Sequence, residues 1–372
     1  DKGRILLSHY KIYVYAISKN EEAFAEEWVR SMEEADGIFV TDTGSQDKTV
    51  EILRNNHVYV FQEEIRPWRF DTARNISLSH VPFDADICVC TDLDEKFLPG
   101  WRSALENTWQ PGTHMGNYLY NWSLTPEGRP YVQMLYFKIH SRFDYIWEYP
   151  VHECLRYTGI IPEKKLFIPG LILNHYPDAR KSRSSYLPLL QLGVRESPMN
   201  PRMSYYLGRE YMYQGQWENC IQELSRYLAL PSAMWREERW AAMRWIAASY
   251  ARLSEIPKAF SWYFRAIAQA PDIRDAYVEA ALLSYSLSDW ETCFYMCHRA
   301  LQISEKSSVF VNAGYAWDHT PYDLSAIACF HLKMYNRSLE HAQKALELSP
   351  EDPRLRGNLN IISAYASNPG YL

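Results

Sequence analysis

Glycine is scarce in this chain of 372 residues: 15 glycines are roughly 4%, against about 7% in an average protein. Neither G-x-x-x-x-G-K-[ST] nor G-x-G-x-x-G occurs, so a P-loop and a dinucleotide-binding turn are excluded. Long apolar runs are missing too; nothing approaches the ~18 residues of a membrane span. No signal sequence opens the chain, which begins with Asp1 as a processed or truncated chain would. Paired cysteine spacing is lacking. Cys88, Cys90, Cys154, Cys220, Cys293, Cys297 and Cys329 make an odd set without C-x-x-C, as expected of reduced, buried thiols. The expectation is a soluble, cytoplasmic protein. There is no basic surplus: residues 1–180 carry 19 Lys+Arg against 26 Asp+Glu, and 181–372 carry 20 against 19, giving a net charge of −6. A protein that binds nucleic acid by neutralising phosphates needs the opposite sign, so nucleic acid is disfavoured as a partner. An acidic first half suits a divalent-metal site.

Aromatic residues are abundant: 13 Trp, 28 Tyr and 14 Phe. Up to about residue 98, β-rich runs (11–17, 37–42, 57–62, 86–91) alternate with helical stretches (21–35, from about 45, 72–79), the pattern of βαβ units and a largely parallel sheet. In such sheets ligands bind at the carboxyl ends of strands. Strand-like runs then dominate (117–124, 130–141, 166–175), which predicts an antiparallel extension. From about 201 the chain turns helical and repeats itself, with starts near 201, 240, 274 and 319 and insertions around 231–236 and 304–320. One spacing is 34 residues, small residues recur where paired helices touch, and Pro271 and Pro350 close second helices. This resembles tetratricopeptide repeats: four of them and a capping helix from Pro353. The expected domains are 1–180, a helical linker 181–200, and a repeat domain 201–372.

The chemistry-bearing residues follow the first strands. Asp92-Leu93-Asp94-Glu95 stands after the apolar run DICVCT, where two carboxylates at i and i+2 can share a cation, or divide cation and sugar hydroxyl between them. Lys19-Asn20-Glu21 closes the first run. Asp42-Thr43-Gly44-Ser45-Gln46-Asp47 closes the second, with Gly44 permitting a tight turn and Ser45 and Asp47 placed to cap the next helix. Phe70-Asp71-x-Ala73-Arg74-Asn75 puts a permanent cation near the carboxylates, suited to a diphosphate or to holding Asp42 and Asp94. Later come Glu148 and Glu153, flanking Val151-His152, and His175 at the end of an apolar run.

The motifs K-N-E, D-T-G-S-x-D-x-T, A-R-N and D-x-D-E, in this order over residues 11–98, resemble the family 2 glycosyltransferases of GT-A (Rossmann-like) fold. With the repeats, the whole chain is similar to bacterial peptide S-glycosyltransferases. The resemblance implies a metal-dependent, inverting transfer from a nucleotide sugar, UDP-linked in preference, to a peptide, protein or glycan acceptor positioned by the repeats. Asn20, Glu21, Asp42, Gly44, Trp68, Arg74 and Asp92 would bind the donor; Asp94, His175 and Asp92 would hold manganese or magnesium; Glu153, then Glu148, would be the general base. A processive polymerase is disfavoured because Q-x-x-R-W is missing. Most strand aromatics are expected to be packing, leaving Trp68, Trp122 and Trp147 as stacking candidates for a sugar or acceptor. The competing expectation is an inactive GT-A-like scaffold whose repeats act as a protein-interaction module. A homodimer is compatible with either.

Overall fold

The computed structural model describes residues 10–178, 186–307 and 312–367. Contacts divide the chain into two units, Asp1–Gly193 and Val194–Leu372. The division falls within helix α5 (Tyr186–Glu196), inside the expected linker; residues 181–185 of that linker lie outside the described residues.

The first unit is built on β1 (Ile12–Ser18). Ile12, Val14 and Ala16 enter one core with Trp28, Met32 and Leu53, while Tyr13 and Tyr15 enter another with Phe39, Leu78, Cys88 and Cys90. A strand buried on both faces must be apolar at nearly every position, which is why this run reads continuously instead of alternating. β2 (Gly37–Asp42), β3 (Tyr59–Gln62) and β4 (Ile87–Cys90) run parallel with it in the order β3-β2-β1-β4. Between them lie α1 (Glu22–Met32), α2 (Thr49–Asn55) and α3 (Phe70–His80). Ala25, Trp28, Val29 and Met32 give α1 its apolar stripe at the i, i+3, i+4, i+7 spacing that packs a helix on a sheet.

The sheet then changes direction as expected. β6 (Met115–Leu124), β7 (Pro130–Ser141) and β10 (Lys165–His175) extend it, with β7 antiparallel to both β4 and β6. The full order is β3-β2-β1-β4-β7-β6-β10-β5, where β5 (Glu95–Phe97) is a short antiparallel edge strand. Helix α4 (Trp101–Thr108) buries Trp101 and Leu105, and β8 (Tyr145–Glu148) with β9 (Cys154–Tyr157) forms a separate hairpin. These last four elements are short, and the periodicity did not reveal them. Helix α2 also starts later than expected, at Thr49, because Ser45 is engaged with Asp42 and not with the helix.

The second unit consists of helix pairs: α6/α7 (Pro201–Tyr213, Trp217–Ala229), α8/α9 (Arg236–Arg252, Ile256–Gln269), α10/α11 (Asp275–Ser286, Trp290–Leu301) and α12/α13 (Thr320–His331, Tyr335–Leu348), followed by α14 (Pro353–Ala366). The four-repeat reading and its cap therefore hold in the helices themselves. Small residues serve close approach: a Cβ on Gly208 of α6 would lie 2.3 Å from Leu224 Cδ2 of α7. Gly208→Val is expected to cost about 1–3 kcal/mol by overpacking, read as a melting temperature lower by about 5 °C. An unchanged melt would mean that this pair of helices is not closely packed.

All seven cysteines are free, and six are buried. Burial pushes the thiol of Cys88 up to about 12 and that of Cys90 to about 11, as inert core thiols require. Among the described residues no helix is long and apolar enough to cross a membrane.

Candidate functional site

The parallel pairing of β1 with β2 sets Ser18 beside Asp42, and that of β1 with β4 brings the end of β4 alongside. Three of the sequence segments singled out by their motifs thus leave the sheet at neighbouring carboxyl ends.

Asp42 is fully buried and engaged within its own turn. Its Oδ1 accepts from the N–H groups of Gly44 (3.1 Å) and Ser45 (2.9 Å), and its Oδ2 from the hydroxyls of Ser18 (2.9 Å) and Ser45 (2.5 Å). Gly44 has φ +105°, a conformation open to glycine and strained for other residues. Asn20 ties the first loop to the second: its N–H donates to Ser45 Oγ (2.8 Å) and its Oδ1 accepts from the Gln46 N–H (2.8 Å). The buried Glu21 stands immediately before α1, its N–H donating to Thr49 Oγ1 (2.7 Å). These residues, expected to touch a donor, therefore build and fix the loops; the structure gives Asp42 four internal hydrogen bonds.

Arg74, 4% exposed, is the hub of the next layer. Its Nε donates to Glu153 Oε1 (2.5 Å), its second terminal nitrogen to Asp92 Oδ1 (2.7 Å), and its guanidinium lies 5.0 Å over the Trp147 ring. The other oxygen of Asp92 accepts from Lys138 Nζ (2.9 Å), which is also 3.7 Å from Glu95. Burial opposes charge at Arg74, Lys138 and Asp92, but their mutual attraction outweighs it: both cations are raised well above their ordinary values and Asp92 is held well below the carboxylate range. Burial pushes the Glu95 carboxyl up, Lys138 only partly offsetting it.

Two of the expected roles meet this network. Asp92, read as a donor-binding residue and a metal ligand, pairs through one oxygen with Arg74 and through the other with Lys138. Glu153, read as the first choice for general base, pairs with Arg74 through Oε1. Glu148 lies on the hairpin and pairs with Arg156 (2.5 Å), apart from this network. Trp147 is 3% exposed, with its Nε1 donating to Tyr15, so it is core and not a stacking platform. Asn75 orders the hairpin by exchanging two hydrogen bonds with the Trp147 backbone (2.9 Å each). Trp68 packs edge-on against Phe70. Lys138 was missed, although a lone Lys amid the apolar alternation of β7 is a signal: an inward charge on a strand needs a buried partner.

Asp94 and His175 meet where β5 pairs with the end of β10, with Asp94 Oδ2 3.8 Å from His175 Nε2. His175 Nδ1 donates to the Trp122 carbonyl (3.0 Å), which leaves Nε2 turned to Asp94. An imidazole fixed through one nitrogen presents the other as a metal ligand. The His175 pKa is raised, since its burial is outweighed by Asp94 and the Trp122 carbonyl. Trp122, 51% exposed, flanks the pair with ring centroids 6.4 Å apart. Among the described residues no group of three or more His, Cys, Asp or Glu is arranged to hold a metal ion. One carboxylate and one imidazole are two donors, so an ion held here would need further ligands from outside the protein.

The Asp92 network has a pH signature. A carboxylate with a depressed folded pKa contributes stability above its unfolded value of about 4 and loses it as pH falls through the folded one. The deficit of Asp92→Asn relative to the parent is therefore expected to be largest at pH 7 and to shrink below about pH 4, in thermal melts across that range. A deficit independent of pH would show that Asp92 acts through packing alone.

No family model matches this chain, and no curated protein matches it in sequence. Among solved structures, it is similar to MamA (19% identity, TM-score 0.38, covering 47% of this chain and 97% of that one). It is also similar to YrrB, described as a TPR protein with an unusual peptide-binding site (13%, 0.39, 49% and 85%). A third is a thermophilic TPR protein of Thermus thermophilus (17%, 0.33, 49% and 87%). At such scores the assignment of the repeats rests on the helix pairs described above.

Proposed function

We propose that the chain joins a protein-interaction module, the helical repeats, to an inverting nucleotide-sugar transferase of GT-A type, the sheet unit. The observation that carries the transferase reading is the Asp94–His175 pair beside a network in which Arg74 and Lys138 are fixed by carboxylates, all at the carboxyl-end side of a β3-β2-β1-β4 parallel sheet. Asp94 and His175 would hold manganese or magnesium, with a nucleotide diphosphate completing the ligand set. When bound, the ion would neutralise charge on the departing diphosphate.

The chain's own residues do the rest. Arg74 and Lys138, locked by Asp92, give a network of paired charges that is fixed before the donor arrives, preorganised at no cost during reaction. Glu153 accepts from Arg74 through Oε1, so uptake of the acceptor's proton falls to Oε2. Attack from the face opposite the leaving group gives inversion. Trp122, exposed beside His175, offers a ring for a sugar or acceptor.

The scaffold reading is favoured by a specific observation: Asp92 and Glu153 are neutralised within the protein. A thermal-shift panel of UDP-, GDP- and TDP-linked sugars with manganese or magnesium separates the two. Metal-dependent stabilisation by one donor, with slow hydrolysis of that donor, supports the transferase. No stabilisation by any donor in either metal, together with intact protein binding by the repeats, leaves the scaffold.

A further inference from the structure

We propose that the groove between the second helices of the second and third repeats, α9 and α11, binds a peptide segment in which an apolar side chain stands next to a carboxylate. This deepens the interaction-module half of the proposed function and is independent of the transferase half.

The groove has a volume of about 380 Å³, within the usual range for a ligand site. Phe264, Ile267 and Ala268 of α9 line one side, Tyr295 and Arg299 of α11 the other, and Pro271, Tyr277 and Met296 lie between. Apart from Met296, the residues that insert these helices in their unit lie outside the lining. On α9, Ala259, Tyr263 and Ala266 are buried; on α11, Cys293, Met296, Cys297 and Ala300 are. Phe264 (47% exposed) and Tyr295 (51% exposed) stand outside those stripes, so these rings remain in water although packing does not require it. A contiguous exposed apolar surface beside a cavity is the usual mark of an interaction site.

Charge selects the occupant. Among the described residues, Arg299 is the one charged residue in the lining. Its guanidinium is 3.4 Å from the Tyr295 hydroxyl and 6.0 Å from the Tyr277 ring centroid, and no carboxylate pairs with it among the described residues. The nearest acid in sequence to the lining, Asp272, is bound by both terminal nitrogens of Arg236 (2.9 Å each). A cation set over aromatic rings with both faces of the groove apolar favours a carboxylate bound through the guanidinium fork, with its neighbouring side chain in the cavity. A basic segment would meet repulsion, and a wholly apolar one would leave Arg299 desolvated without a partner.

The test uses the full chain and fluorescein-labelled nine-residue peptides carrying Phe-Asp or Leu-Glu at the centre, against matched peptides with Asn or Gln for the acid and with Ser for the apolar residue. Binding is followed by polarisation. The acidic-apolar peptides are expected to bind in the micromolar range and each matched peptide at least about 10-fold more weakly. Arg299→Glu is expected to remove this binding and to favour Phe-Lys peptides, and Phe264→Ala to weaken binding about 10-fold. Both residues are exposed, so the melts should be unchanged. Peptide binding that ignores Arg299→Glu overturns the groove while leaving the module reading intact; binding of no peptide overturns both. A shift to dimers that is lost in Arg299→Glu, with no peptide bound, would make the occupant a second copy of the chain and also overturn the proposal.

Discussion

Asp94→Ala is expected to abolish metal-dependent nucleotide binding and to lower donor hydrolysis at least about 100-fold, because a metal worth several kcal/mol of charge stabilisation would lose its carboxylate. The fold should survive. His175 keeps its bond to the Trp122 carbonyl, and the Asp94 backbone oxygen that accepts from the Tyr176 N–H is retained. His175→Ala should fall short of that, at about 10-fold, since carboxylate and phosphate oxygens suffice for magnesium. Calorimetric titration of nucleotide with and without manganese, set beside a thermal melt, reads both. Full metal-dependent turnover in Asp94→Ala would remove that residue from the site.

Arg74→Met has the other large effect, on stability first. It leaves Glu153, whose side chain is 10% exposed, and Asp92, 33% exposed, without a guanidinium. Breaking a buried pair typically costs about 3–5 kcal/mol, and the water open to Asp92 puts the expectation at the lower end, a melt about 10 °C lower. The cause is tested by relief: Arg74→Met with Glu153→Gln should recover part of the loss, because a neutral amide is cheaper to bury than an orphaned carboxylate. If the double variant is less stable than the single, the stacking of Arg74 on Trp147 and not the ion pair carries the stability. Activity should not return in the double variant, as both the fixed cation and the base would be gone.

Much of the architecture was legible because it rests on local rules. The β-rich runs of β1 and β4, alternating with helical stretches, announced strands of a largely parallel sheet. The 34-residue spacing with Ala and Cys at helix contacts announced helix pairs, and four pairs with a cap are present. What escaped was short. β5 has three residues, too few for a period, yet it carries Glu95 and aligns it with His175. Lys138 was visible only as one polar residue in a strand, and its partner Asp92 lies 46 positions away.

The sequence by itself determined the alternation of the longer strands and helices, the absence of phosphate loops and paired cysteines, and which short segments carry carboxylates. Tertiary structure alone decided how those carboxylates are used. Asp92 and Asp94 are two residues apart, yet after the strand ends they face different neighbours: Asp92 meets Arg74 and Lys138, Asp94 meets His175. Spacing fixes what a residue can reach; which charge is buried beside it fixes what remains for a ligand.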